Sequence, residues 1–167
     1  DDLRWLWAFF QEGGPDNVGS ALGWIATRLG RDTAWREPEP LPAHGAFVAA
    51  ARAGSGPPAL VTLYRSVFAA ADTAPITALA DALAARGFRV HAEWVTSLKD
   101  GRVVDGLARL IDDLRPAIVV NTTAFSARLD DGTTVLDRAR VPVLQAILAT
   151  SARDAWAASS RGLSAAD

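Results

Sequence analysis

Ala59-Leu60-Val61-Thr62-Leu63-Tyr64, followed by Arg65-Ser66 and then by Thr73-Ala74-Pro75-Ile76, is the stretch whose reading decides the fold. Its first six residues form a short apolar run, the pattern of a strand covered on both faces. Thr73 ahead of Ala74-Pro75 is a helix start, and Gly87 closes the helix that runs on to Arg86. A buried strand, a polar turn and a helix make the repeating unit of an open α/β sheet. At such a turn, backbone N–H groups and polar side chains face whatever ligand the sheet holds.

Outward from that unit the alternation repeats. Phe88 to Val95 predicts a strand with Phe88, Val90, Ala92 and Trp94 on one face and Arg89, His91 and Glu93 on the other. Leu98 to Leu114 carries Val103, Leu107, Leu110, Ile111 and Leu114 at helical spacing. Ala117 to Asn121 is another buried strand, Thr133–Arg140 a short helix, and Val143 to Leu148 a last strand. Helix-length crossovers imply parallel pairing. The expected architecture is therefore α/β, a flavodoxin/Rossmann-like parallel four-stranded sheet. Numbering its strands along the chain, the order is 2-1-3-4, with the switch point between strands 1 and 3. The alternating strand 88–95 is expected at an edge, with its polar face wet.

Upstream lies a helical extension. In Leu3-Arg4-Trp5-Leu6-Trp7-Ala8-Phe9-Phe10 the apolar groups run all round: Leu3, Leu6, Trp7 and Phe10 form a stripe, and Trp5 and Phe9 sit away from its centre. Such a helix is buried in a larger body or against a partner. After Gly13-Gly14, Pro15-Asp16-Asn17 starts a second helix, with Val18, Leu22, Ile25, Ala26 and Leu29 on its apolar face and Gly30 as its stop. Residues 31–57 include Pro38, Pro40, Pro42 and Pro57 and read as an extended connector with one helical turn around Ala46–Ala53. Three regions follow: helices and connector over 1–57, the α/β domain over 58–150, and a tail over 151–167 leading into the rest of a longer chain.

Half of the 167 residues are apolar, and 17 basic against 19 acidic residues leave a net charge of −2. That is enough chain for one domain with a core. A near-neutral chain has no general attraction for nucleic acid or anionic lipid, so neither is expected as a partner. No apolar run reaches the roughly 20 residues of a membrane span and no signal peptide is legible, so the expected location is cytoplasmic. With no Cys, disulfides, thiolate ligands and cysteine nucleophiles are excluded. Met is absent too, even at position 1, which reads either as chance with a processed start or as a segment excised from a longer chain. The first helix, apolar on every side, supports excision.

Several motifs yield to plainer readings. Gly54-Ser55-Gly56-Pro57-Pro58-Ala59 has the spacing of a dinucleotide fingerprint, yet it precedes its strand and holds two prolines, so it is a loop. Asn121-Thr122-Thr123 fits a glycosylation acceptor only in a secreted chain. His91-Ala92-Glu93 has the H-x-E spacing of zinc deaminases, whose cysteine ligands are missing here; two polar residues on a wet strand face are the plainer reading. His44, alone in the connector, makes no metal site with the distant His91. Asp112-Asp113 and Asp130-Asp131 read as solvated helix and turn residues. No catalytic residue, metal ligand or cofactor of this stretch itself is expected.

What remains is a set at the carboxyl ends of the strands. It comprises Arg65 and Ser66 after strand 1, Ser97 after strand 2, and Asn121, Thr122 and Thr123 at strand 3. An open sheet gathers these along one rim. Arg65 suits a carboxylate through its planar fork, with the hydroxyls and the amide completing the contacts. Capping and turn duty is the competing reading for Ser, Thr and Asn. Arg65 and Asn121 are expected to face one another across the switch point in a shared cleft.

The same residues carry a family resemblance. GGPDNV at 13–18, YRS at 64–66, TAPI at 73–76 and ALAARG at 82–87 resemble, in order, the CobN-type large subunit of aerobic cobaltochelatase. SLKD at 97–100, NTTAFS at 121–126, VPVLQ at 141–145 and S-RGLS at 160–164 continue it. The related magnesium chelatase large subunit is less similar around TAPI. The resemblance implies a piece from the N-terminal part of a much longer, tetrapyrrole-binding chain. It implies insertion of Co2+ into hydrogenobyrinic acid a,c-diamide, with ATP hydrolysed by partner ATPase subunits. This stretch is then expected to shape or close the site without catalysing alone. Two departures stand out: Val67 where the family usually has His after YRS, and Ala71-Asp72 where it usually has Gly-Asn before TAP. The alternative, from a different class, is a stand-alone flavodoxin-like small-ligand binding or sensor module.

Overall fold

β2 (Pro58–Tyr64) is the apolar run, buried from Ala59 through Leu63, and it lies at the centre of the sheet. The computed structural model, which describes residues 2–124, 127–149 and 152–160, pairs β2 in parallel with two neighbours. β3 (Arg89–Val95) lies on one side and β4 (Ile118–Asn121) on the other. β5 (Val143–Gln145) continues in parallel beyond β4. A three-residue strand that sequence reasoning missed, β1 (His44–Ala46), adds antiparallel to the outer edge of β3. The order is β1-β3-β2-β4-β5. The wholly parallel, four-stranded sheet is thus corrected to a five-stranded mixed one.

That correction has a physical cause. His44-Gly45-Ala46 sits among prolines with no apolar alternation, and two of its residues are poor strand formers. Its pairing is imposed by β3 and not by its own propensity. In consequence β3 is no edge strand, and its polar face dries along its length: Arg89 is exposed, His91 half-buried and Glu93 only 5% exposed. Other elements are shorter than expected. The last strand stops at Gln145, and a 3₁₀ turn at Val135–Ala139, with a Thr134–Asp137 capping box, replaces the short helix. The turn anticipated in the connector is a 3₁₀ turn at Val48–Ala50. Phe125, Ser126 and residues 161–167, which carry parts of the quoted motifs and of the tail, lie outside the described residues.

Two helices cover the two faces of the sheet. α4 (Ala74–Ala84) buries Ile76 and Ala80 against Val61, Leu63, Ala92, Trp94 and Val120, joined by Phe47 and Ala50 from the connector. α5 (Gly101–Leu114) buries Val103, Leu107 and Ile111 against Leu60, Val95 and Val119. Each such aliphatic side chain contributes about 1.5–3 kcal/mol on full burial, so these two layers dominate the stability. Asp100 caps α5 by accepting the Arg102 N–H at 3.0 Å, and the side-chain bonds from Arg102 hold its carboxyl at about 2.

The N-terminal helices α1 (Asp2–Glu12) and α2 (Gly14–Arg28) form a smaller cluster around Phe9, Ala21 and Trp24. Their inward faces differ from those expected. In α1 the stripe members Leu3, Trp7 and Phe10 are 83%, 65% and 60% exposed, whereas Phe9 is fully buried. Trp5 meets Trp35 of the connector edge to face at 6.0 Å. In α2, Asn17, Ala21 and Trp24 point inward, and Leu22 and Leu29 face outward. Both helices are apolar on more than one side, so hydrophobicity alone did not select the buried one.

The turn between the short helix α3 (Arg65–Ala69) and α4 contains Ala71 with φ of 57°, a left-handed conformation that suits glycine. This is one of the two places where the resemblance led us to expect a different residue, and the residue expected there was Gly. At the other, Val67 packs against the α4-side core in place of an imidazole.

Candidate functional site

Arg65 follows β2 directly, so the sheet's carboxyl rim fixes where its stem begins. Its Nη1 donates to the Leu41 carbonyl at 3.0 Å, and among the described residues it forms no ion pair. The Leu41 N–H is in turn accepted by Glu12 Oε2 at 3.3 Å. One arm of the guanidinium is thereby anchored while the rest of the fork keeps donors to offer. Arg65 opens onto a cleft of about 540 Å3 with Tyr64, Ser66, Thr96 and the end of α1 from Phe10 to Gly13. A larger groove of about 650 Å3 runs beside it, between the start of α2 and the connector. There Asn17 ties the two sides together, donating to the carbonyls of Gly13 and Glu39 and accepting the Glu39 N–H.

Asn121 behaves differently. It does not line the Arg65 cleft, so the two do not share one as expected. Its Oδ1 accepts from Thr62 Oγ1 at 2.7 Å, from Thr123 Oγ1 at 2.9 Å and from the Thr123 N–H at 3.2 Å. Its Nδ2 donates to Gln145 Oε1 at 2.9 Å, and Gln145 Nε2 returns a bond to the Thr123 carbonyl at 2.8 Å. Thr122 Oγ1 donates to the Thr62 carbonyl at 2.8 Å. Asn121, Thr122 and Thr123 are all buried, and among the described residues no buried side-chain polar atom lacks a partner. This group ties β2, β4 and β5 together, and each of its buried side-chain polar atoms already has a partner within the protein. Ser97 does turn duty, its Oγ accepting the Lys99 N–H at 3.2 Å.

The register extends the polar group across the sheet. Thr62 is paired with Glu93 on one side and Asn121 on the other, and Asn121 with Gln145. At its far end Glu93 receives both histidines of the chain: His44 Nδ1 is 2.7 Å from Oε1 and His91 Nε2 is 3.0 Å from Oε2. In each contact a ring nitrogen and a carboxylate oxygen share one hydrogen bond, so the carboxylate joins the two rings. Two glycines make room for this clasp. A Cβ on Gly106 of α5 would stand 2.0 Å from His44 Nε2, and one on Gly45 would stand 2.6 Å from the buried Trp94 ring. Sequence reasoning set the two histidines apart. Only the antiparallel pairing of β1 brings them to one carboxylate, and nothing local in the sequence announces it.

Chemically, the Arg65 cleft is suited to an anionic or carbonyl-bearing edge of a ligand, and the Glu93 clasp and Asn121 group hold the framework behind it. Among the described residues no three His, Cys, Asp or Glu side chains gather as a metal site, and no helix is long and apolar enough to cross a membrane.

Against known proteins, the family model described as CobN/Magnesium Chelatase matches residues 7–167. The aerobic cobaltochelatase subunit CobN of a Sinorhizobium species is 34% identical over 192 positions, covering 100% of this chain and 15% of that protein. The subunit of the same description from Pseudomonas aeruginosa is 32% identical, covering 97% of this chain and 14% of its own length. A solved structure, the catalytic subunit of cobaltochelatase from Mycobacterium tuberculosis, matches with a TM-score of 0.80 over 99% of this chain and 15% of that one. At 24% identity, that last match is a likeness of fold.

Proposed function

The chain belongs to the CobN/magnesium chelatase family, and from that premise we propose that it is an N-terminal segment of the large, tetrapyrrole-binding subunit of an ATP-dependent cobaltochelatase. The whole enzyme inserts Co2+, as substrate, into hydrogenobyrinic acid a,c-diamide in the cytoplasm. ATP is hydrolysed on partner ATPase subunits. The segment helps shape or close the macrocycle site and does not catalyse alone. The observation that carries the reading is the family match over nearly the whole chain, together with an unpaired Arg65 beside an open cleft.

The contact is with the edge of the macrocycle. Arg65 and Ser66 meet a propionate or amide of the macrocycle, the guanidinium through its free donors. Asn121, Thr122, Thr123 and Ser97 support the rim from behind. The test is Arg65→Ala in the full-length subunit, with binding followed by titration of a hydrogenobyrinic acid diamide. Affinity falls by about 1–3 kcal/mol, the scale of a charge-assisted hydrogen bond. ATP hydrolysis by the partner subunits stays unchanged. Unaltered macrocycle affinity in this variant would return Arg65 to a structural role.

A further inference from the structure

The two edges of the sheet are finished differently. β1 closes one of them and is itself fastened by the Glu93 clasp. At the other, β5 is exposed at all three residues, with Val143 at 40% and Leu144 at 52%, and Ile147 just beyond it at 60%. The ladder to β4 uses the Pro142 carbonyl and the Ala146 N–H. Because a parallel ladder bonds alternate residues, the N–H and C=O groups of Val143 and Gln145 point away from the sheet. Natural edges are blunted by charge, proline, a bulge or shortness; β5 is short and follows Pro142, yet residues 143–148 contain no charged side chain and no proline.

We infer that β5 is an interior strand of the complete protein. A parallel, apolar strand from the part of the large subunit outside residues 1–167 pairs with its free edge and covers Leu144 and Ile147. This rests on the segment reading proposed above. Length supplies the occupant, because the chain spans only 15% of its Sinorhizobium relative. Topology supplies the orientation. The strands from β2 onward are joined by crossovers and are parallel, and β5 leads into another short helix, α6 (Arg153–Ala157), the first part of one more crossover. A second copy of the chain is the poorer candidate, since edges related by a two-fold axis would pair antiparallel.

Amide exchange of the full-length protein, read residue by residue after fragmentation, tests the strand directly. The Val143 and Gln145 amides exchange slower than in a free peptide by about two orders of magnitude or more, at every protein concentration. Exchange at the free-peptide rate, with β2 and β4 protected, overturns the inference and leaves the segment reading standing. Protection that disappears on dilution also overturns it, in favour of a second copy. An intact mass no greater than that of residues 1–167 for the native protein overturns the segment reading itself. As a second measurement, Leu144→Glu combined with Ile147→Glu lowers the melting temperature of the full-length protein; an unchanged value means the face is open to water.

Discussion

Arg65 and Asn121 stand at the ends of two adjacent parallel strands and share a rim, yet one opens onto a cleft and the other is buried among bonds to its own sheet. Asn121 exchanges hydrogen bonds with Thr62, Thr123 and Gln145, all within the sheet. Arg65 spends one arm on the Leu41 carbonyl and keeps the remainder for the cleft. Residue type at a strand end therefore does not distinguish a ligand contact from a structural one. The bonds each side chain already makes do separate the two residues, and those bonds depend on neighbours that are distant in sequence.

The contrast breaks most readily at Asn121. Asn121→Ala leaves the Thr62 hydroxyl, the Thr123 N–H and hydroxyl, and the Gln145 amide without their partner inside the sheet. We expect a loss of about 2–4 kcal/mol in urea unfolding, and a loss below about 1 kcal/mol would mean that the group is not a structural tie. Arg65→Ala, by comparison, removes one bond to a carbonyl at a half-buried site. It costs about 0.5–1.5 kcal/mol of stability, so its effect on macrocycle affinity is separable from folding. Smaller again, and opposite in sign, is Ala71→Gly. Relief of a left-handed alanine outweighs the added freedom of the unfolded chain by about 0.5–1 kcal/mol, visible as a raised urea midpoint. The smallest effect is at Asp100, whose carboxyl is held at about 2 against an ordinary 3.8. A depressed folded-state value means that its contribution is present above pH 3.8 and is lost as the pH falls toward 2. Asp100→Asn removes that contribution, so the neutral plateau drops slightly and the acid limb of the stability profile flattens.

Much of the α/β framework was legible because β2, β4, α4 and α5 declare themselves locally, through apolar runs, a start signal at Thr73 and a helical stripe from Val103 to Leu114. What failed has a common origin in tertiary context. β1 is a strand only because β3 offers it a ladder, and Glu93 of β3 is buried because α5 packs on that face and His44 of β1 reaches over to it. The faces of α1 and α2 were misassigned because both have apolar residues on several sides, and the choice of Phe9, Ala21 and Trp24 depends on how the two helices meet. Within the candidate site, the sequence singled out Arg65 and Asn121 equally. It held no sign that Gln145 would complete one of them or that Leu41 would anchor the other.

The two glycines around the histidine clasp change what the chain tolerates. A side chain at position 45 would collide with the buried Trp94 ring, and one at 106 would evict His44 from Glu93. The irregular connector just upstream, over residues 31–40, is mostly exposed. In a saturation scan the clasp would therefore register first as two intolerant glycine columns, one beside an exposed stretch and one within α5. The absence of a side chain at these two positions is part of how the sequence encodes the contact between the edge strand and the helix.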